Sequence, residues 1–218
     1  MFRHTLSILF SLLILGCTAP PDPKEVDLEV RVTTFDVEEC CAMTGKRKSQ
    51  CPRLRAYWET TPNVNVCDSV DLSIRQVSSA LDAWRDLGYQ FGEVKIARWA
   101  LQECNMASFG EILIRLPSRE EISAGVAADH LAATKTYTHN PTGSIQGADI
   151  WFVDQSGVRS KWVLEHEIGH ALGWMHCDQH GHIMNSMSGR LGPTATGASY
   201  SEYLIGRDII REVLRAEP

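Results

Sequence analysis

Residues 166–176 read HEIGHALGWMH, and this stretch decides the fold. His166 and His170 are four residues apart, so on a helix they lie on one face, one turn apart. Both imidazoles can then reach a single ion. Leu164, Ile168, Ala171 and Leu172 supply the buried side of the same helix. Glu167 follows the first histidine and is placed to hold a water at that ion. Gly173 can adopt a left-handed conformation, which ends the helix and turns the chain. His176 can then approach as a third ligand; without such a turn it would point off the shared face. Three neutral nitrogen ligands with one open position describe a catalytic zinc site. Such an ion acidifies water and polarises a carbonyl, with Glu167 as general base and then general acid. Two plainer readings compete: histidines at an exposed helix end, and a purely structural zinc site. A structural site fills all four positions with protein ligands and leaves Glu167 without a task.

The rest of the chain reads as an exported globular protein. Its 218 residues, 44% of them hydrophobic, suffice for one domain with a real core. The net charge of −6 gives no basic footprint of the kind nucleic-acid binding needs. Arg3, the apolar run Leu6–Leu15, then Gly16 and Cys17 have the layout of a secretory signal. That run is too short for a comfortable membrane span. ILGC (Ile14–Cys17) resembles a bacterial lipobox, which implies lipidation of Cys17. Plain signal cleavage after Ala19 is the competitor, but it would leave Pro20 just past the cut. The expected layout is a signal peptide at 1–16, a lipidated cysteine and Pro-rich tether at 17–27, and a folded domain at 28–218. The expected location is a bacterial cell envelope, lipid-anchored, with Thr18 favouring the outer membrane; secretion is the alternative. The other six cysteines are Cys40, Cys41, Cys51, Cys67, Cys104 and Cys177. An even number in an exported chain suggests disulfides without fixing their pairing.

Periodicity places the elements. LEVRVTTF (Leu28–Phe35) alternates and reads as a strand; residues 36–52 read as a cross-linked loop. Leu54–Cys67 reads as extended, interrupted at Pro62. Ile74, Val77, Leu81, Trp84 and Leu87 recur at helical spacing, with Asp71 or Ser73 to cap the start and Gly88 to end it. Phe109–Leu116, Ala133–His139 and Ala148–Val153 read as strands, with NPTGSIQG (140–147) as a turn-rich loop. Ser160–Gly173 and Ser201–Leu214 read as helices. Strands and helices mix without strict alternation, so the expected class is α+β.

The zinc motif resembles that of the metzincin metalloproteases, and the similarity extends to GHIMNSM (Gly181–Met187). Metzincins place a methionine turn beneath the metal. Met184 lies eight residues after His176, a spacing similar to that of matrixins; Met187 is a rival for the part. The segments Val77–Val94, Gly110–Leu116, Thr134–Asp154 and Tyr200–Leu214 resemble other matrixin elements. The resemblance implies a metzincin-like catalytic domain: a twisted mixed sheet, an active-site helix, a Met-turn and a C-terminal helix. It implies a zinc endopeptidase with His166, His170 and His176 on one zinc ion and Glu167 as acid/base. Substrate would pair with an edge strand near Ala133–Tyr137. The pocket wall would follow the Met-turn, around Gly189–Tyr200. The expected partners are a protein or peptide substrate and a lipid membrane, with the chain a monomer. An envelope binding or scaffolding module of the same fold, without turnover, is the alternative.

The departures are specific. Cys177 stands where matrixins usually have serine; a disulfide with Cys104 or another cysteine is preferred over a thiolate on zinc. His130 and His139 are present, but Trp151 stands where another ligand of a structural zinc would be, so no second zinc is expected. Asp149 and Asp154 could take calcium, yet solvated surface carboxylates fit them better. His180, His182 and Glu165 read as polar loop or surface residues. Cys51 could cap the metal in a latent form, although a disulfide accounts for it more plainly.

Overall fold

The central strand of the main sheet carries an unbroken apolar run, the pattern of a strand buried on both faces. In EILIR (Glu111–Arg115), Ile112, Leu113 and Ile114 are all fully buried. Successive side chains point to opposite faces, so both sides of this strand are covered. The computed structural model describes residues 35–36, 52–123, 130–153 and 155–216.

Strand β1 (Phe35–Asp36) pairs antiparallel with β2 (Arg53–Leu54). A second sheet holds β3 (Tyr57–Trp58), β4 (Asn63–Cys67), β5 (Val94–Ala97), β6 (Glu111–Arg115), β7 (Ala132–His139) and β8 (Ser144–Phe152). Its order is β3-β8-β6-β4-β5, and β7 also pairs with β8. All its pairs are parallel except β7 with β8. The helices are α1 (Ile74–Arg85), α2 (Arg119–Ser123), α3 (Gln155–Arg159), α4 (Val163–Ala171) and α5 (Tyr200–Ala216). The class is α+β, with a mostly parallel sheet and a closing C-terminal helix. Among the described residues, β7 has no strand on its outer edge.

Helix α1 forms for local reasons. Ser73 caps it in a capping box: its hydroxyl accepts from Gln76 N, and Gln76 Oε1 accepts from Ser73 N at 2.9 Å. Val77, Ala80, Leu81 and Trp84 make its buried stripe. Trp84 Nε1 donates to the Glu165 carbonyl at 2.8 Å, tying α1 to α4. Helix α4 packs in turn on β7 and β8. Its apolar side is Leu164, Ile168, Ala171 and Leu172, all buried. At the start of α5, Ser199 N donates to Glu202 Oε2 at 2.8 Å and Glu202 N donates back to Ser199 Oγ at 3.4 Å. Tyr203 of α5 stacks with Tyr200 and meets Tyr89 edge-on, and Trp174 Nε1 donates to Tyr89 OH at 2.7 Å. That aromatic cluster fastens the last helix beneath the turn that follows α4.

Several expectations need correction. Strand β8 begins at Ser144, so half of the expected 140–147 loop is strand. Gly147 permits this: a side chain there would crowd the Ser108 carbonyl, which lies 3.0 Å from the Cβ position. Helix α4 starts at Val163, three residues late, because Trp162 is left-handed at φ 68°. Cys104 is bonded to Cys67, not to Cys177; Cys177 is buried and stands outside that disulfide. Asp149 is not a solvated carboxylate. It is fully buried, paired with Arg115 at 2.9 Å, and it accepts from Tyr137 OH and Ala107 N at 2.8 Å each. Asp154, Cys40, Cys41 and Cys51 lie outside the described residues. The expectation of membrane attachment is corrected only so far as it would need a spanning helix. Among the described residues no helix is long and apolar enough to cross a membrane. The signal, Cys17 and the tether lie outside those residues.

Candidate metal centre

Helix α4 carries His166 and His170 on one face, and the turn after it delivers His176. Gly173 makes that turn, at φ 102°. A side chain there would run into the Ala56 backbone, and the turn is pinned on both sides. Arg55 N donates to the Gly173 carbonyl at 2.9 Å, and Met175 N donates to the Arg53 carbonyl at 2.7 Å. His176 is therefore positioned by the segment joining β2 and β3, more than a hundred residues earlier in the chain.

The three Nε2 atoms converge. They stand 3.1 Å apart for His166 and His170, 3.2 Å for His166 and His176, and 3.0 Å for His170 and His176. Nδ1 of His166 faces the Ile183 carbonyl at 2.7 Å, and Nδ1 of His170 faces the Trp174 carbonyl at 2.6 Å. A carbonyl only accepts, so each Nδ1 carries the ring proton. Both Nε2 lone pairs then point inward, toward His176 Nε2. A cation between the three rings satisfies that arrangement. Burial is the main cause that lowers all three imidazole pKa values, His166 to about 4 and His170 well below the ordinary range. The rings are thus neutral near pH 7, as metal ligation requires. Tetrahedral nitrogen ligands about 2.0–2.1 Å from zinc stand roughly 3.3–3.4 Å apart. The observed triangle is within a few tenths of that size, so the three histidines fit a metal ion and form a group that can hold one.

Glu167 is buried beside His166, with 5% of its surface exposed. Its Oε2 accepts from the Thr134 hydroxyl at 2.6 Å. Burial pushes its carboxyl up to about 7, against the opposing pull of that hydroxyl. Met184 is fully buried, whereas Met187 is 54% exposed. The Met184 sulfur lies over Gly169 of α4, where a side chain would also come within 2.6 Å of the Trp84 ring. His182, likewise fully buried, shapes the loop: its Nδ1 accepts from Met184 N at 2.9 Å, and its Nε2 faces the Thr196 carbonyl at 3.1 Å. Cys177 N donates to the Met184 carbonyl at 2.8 Å, closing the loop on itself.

A cleft of about 900 Å³ runs past these groups. One wall is β7 with Ala132–Thr134 and Thr136; the other includes Met187–Leu191. The expected edge strand and the start of the expected pocket wall both line it. His130 lines the rim, while His139 is exposed and bonded to Thr142 Oγ1 at 3.1 Å. Cys67, Asp68 and Cys104 also cluster tightly enough to ligate a metal. Their two sulfurs are joined as a disulfide, so that group offers no thiolate while oxidised.

Sequence reasoning missed Thr134, Gly169 and the structural role of His182. Gly169 sits inside the motif, and its small size was the available signal. Thr134 is 33 residues from Glu167, and nothing local marks it. No protein-family model matches the chain, and no curated protein matches it.

Proposed function

We propose that this protein is a zinc-dependent endopeptidase of the metzincin, matrixin-like type. The observation that carries the reading is the triangle of Nε2 atoms, two of them fixed by carbonyls at Nδ1, beside buried Glu167 in an open cleft. An all-nitrogen donor set suits zinc better than calcium or magnesium, which prefer oxygen ligands.

His166, His170 and His176 would hold the ion, with Met184 packed beneath the helix that carries two of them. Zinc held there would supply Lewis acidity toward a water and a substrate carbonyl. Glu167 takes the proton of the attacking water and passes it to the leaving amine. The outer edge of β7 pairs with the extended substrate backbone, and the cleft beside it receives the side chains. The carbonyls of Ile183 and Trp174 keep the imidazole tautomers fixed throughout.

The test is cleavage of a mixed peptide library by the zinc-loaded protein beside Glu167→Ala, with zinc quantified in both. The expected result is cleavage by the wild type alone, with about one zinc ion in each protein. Zinc retained by a wild type that cleaves nothing would instead mark a zinc-stabilised binding module.

A further inference from the structure

We infer that Thr134 is a positioning residue that fixes the carboxylate of Glu167 and couples it to the substrate-binding strand. The inference rests on the endopeptidase reading above. Its observation is separate from the histidine geometry: one hydroxyl on β7 reaches across to a carboxylate on α4.

Thr134 Oγ1 lies 2.6 Å from Glu167 Oε2 and 3.1 Å from the Glu167 carbonyl. A hydroxyl has one proton, and the shorter contact takes it. Among the described residues, no other hydrogen bond reaches either carboxylate oxygen of Glu167. Oε2 is therefore committed, and Oε1 is the oxygen left to exchange a proton with water. The terminal torsion of a glutamate is broad and roughly two-fold. Without the hydroxyl, no hydrogen bond among the described residues distinguishes the two oxygens of the buried carboxyl. A single hydrogen bond to Oε2 removes that degeneracy.

The location matters as much as the bond. Thr134 sits inside the strand whose outer edge lines the cleft, between Ala133 and Lys135. Substrate that pairs with β7 adds backbone hydrogen bonds along the free edge of this strand. The same event steadies the hydroxyl and, through it, the base. Peptide capture and base alignment thus share one residue. His166 and His170 are held by carbonyls on other segments, so this coupling leaves the metal ligands untouched.

The experiment uses the full chain, zinc-loaded, as wild type, Thr134→Val and Thr134→Ser. Steady-state kinetics are measured on one cleaved peptide, with zinc content and thermal midpoint recorded for each. Valine preserves the branched shape and the β7 backbone but removes the hydroxyl. The expected result for Thr134→Val is full zinc content, kcat lower by about tenfold or more, and KM within about twofold. Thr134→Ser, which restores the hydroxyl, recovers most of kcat. Wild-type kcat in Thr134→Val overturns the role. So does a loss confined to KM, or a loss of zinc or folding that serine does not repair. A wild type that holds zinc and cleaves nothing removes the endopeptidase reading itself, and this role with it; that outcome appears before any variant is compared.

Discussion

The sulfur of Met184 occupies the space that a side chain at Gly169 would need. A Cβ at that position would overlap the thioether and come within 2.6 Å of the fully buried Trp84 ring. Helix α4 can therefore settle onto the loop that carries Met184 only because glycine stands between His166 and His170. Gly169→Ala is expected to lose about 1–3 kcal/mol of stability by overpacking, although alanine is the better helix former. Zinc affinity should fall with it, since the Ile183 carbonyl that holds His166 belongs to the displaced loop. Denaturant melts and a zinc titration measure the two effects. An alanine variant as stable as wild type would show that Met184 moves aside freely.

Gly173 is constrained twice, by a positive φ and by the Ala56 backbone. Gly173→Ala should cost about 2 kcal/mol or more and weaken zinc binding at least about tenfold, because His176 leaves the triangle. Gly181 provides the control. It also has a positive φ, 76°, but nothing lies within 4 Å of its Cβ position. Gly181→Ala should cost only about 1 kcal/mol. Equal losses in the two variants would place the whole effect in backbone strain.

Acid should weaken the fold through Glu121. Its carboxyl is held at about 2, below its ordinary 4.5, chiefly by the hydrogen bonds from Arg115 at 2.6 and 2.7 Å. A depressed folded-state pKa stabilises the protein above the unfolded value, and that contribution disappears as pH falls through the folded one. Wild type should thus be more stable than Glu121→Gln at pH 7. The gap should close between about pH 4.5 and 2. Glu121 is a quarter exposed, so solvent screening trims the size of the effect but not its sign. Urea midpoints for both proteins across that range check this; a gap that widens in acid would contradict it.

The cleft should prefer acidic substrates. Arg55 and Arg190 both line it, and neither has an ion-pair partner among the described residues. Glu167, the proposed base, is the sole carboxylate among the lining residues. Peptides with Asp or Glu near the scissile bond are expected to be cleaved faster than their Asn or Gln counterparts, by about two- to fivefold at low salt. Arg55→Gln and Arg190→Gln should each reduce the preference, and added salt should erode it. Identical rates for the two peptide sets would show that these guanidinium groups stay in solvent.

What the sequence disclosed was local, and what it concealed was distant. His166 and His170 announce themselves because a helix brings residues four apart together whatever surrounds it. Ser73 and its capping partner Gln76 are three residues apart and equally legible. The beginning of β8 was hidden because NPTGSIQG has turn composition, and Gly147 is there for close packing on residues 107–108 rather than for a turn. Strand β5 was hidden because it is short and half of it is exposed at the sheet margin. Asp149 looked like a surface carboxylate until Arg115, 34 residues away, was found beside it in the core. Cys177 could be assigned to Cys104 only while Cys67 was not known to lie 5.5 Å away, Cα to Cα, from that residue. Each error concerns a partner brought in by the tertiary fold.

The outer edge of β7 determines how such a cleft would choose its targets. Backbone pairing recognises an extended strand with unoccupied peptide groups, whatever its side chains. Helices and sheet interiors have already spent those groups on their own ladders. Selection would then follow the architecture of the target more than its spelling: tails, loops and partly unfolded chains would be cut, and the same sequence inside an intact domain would be spared.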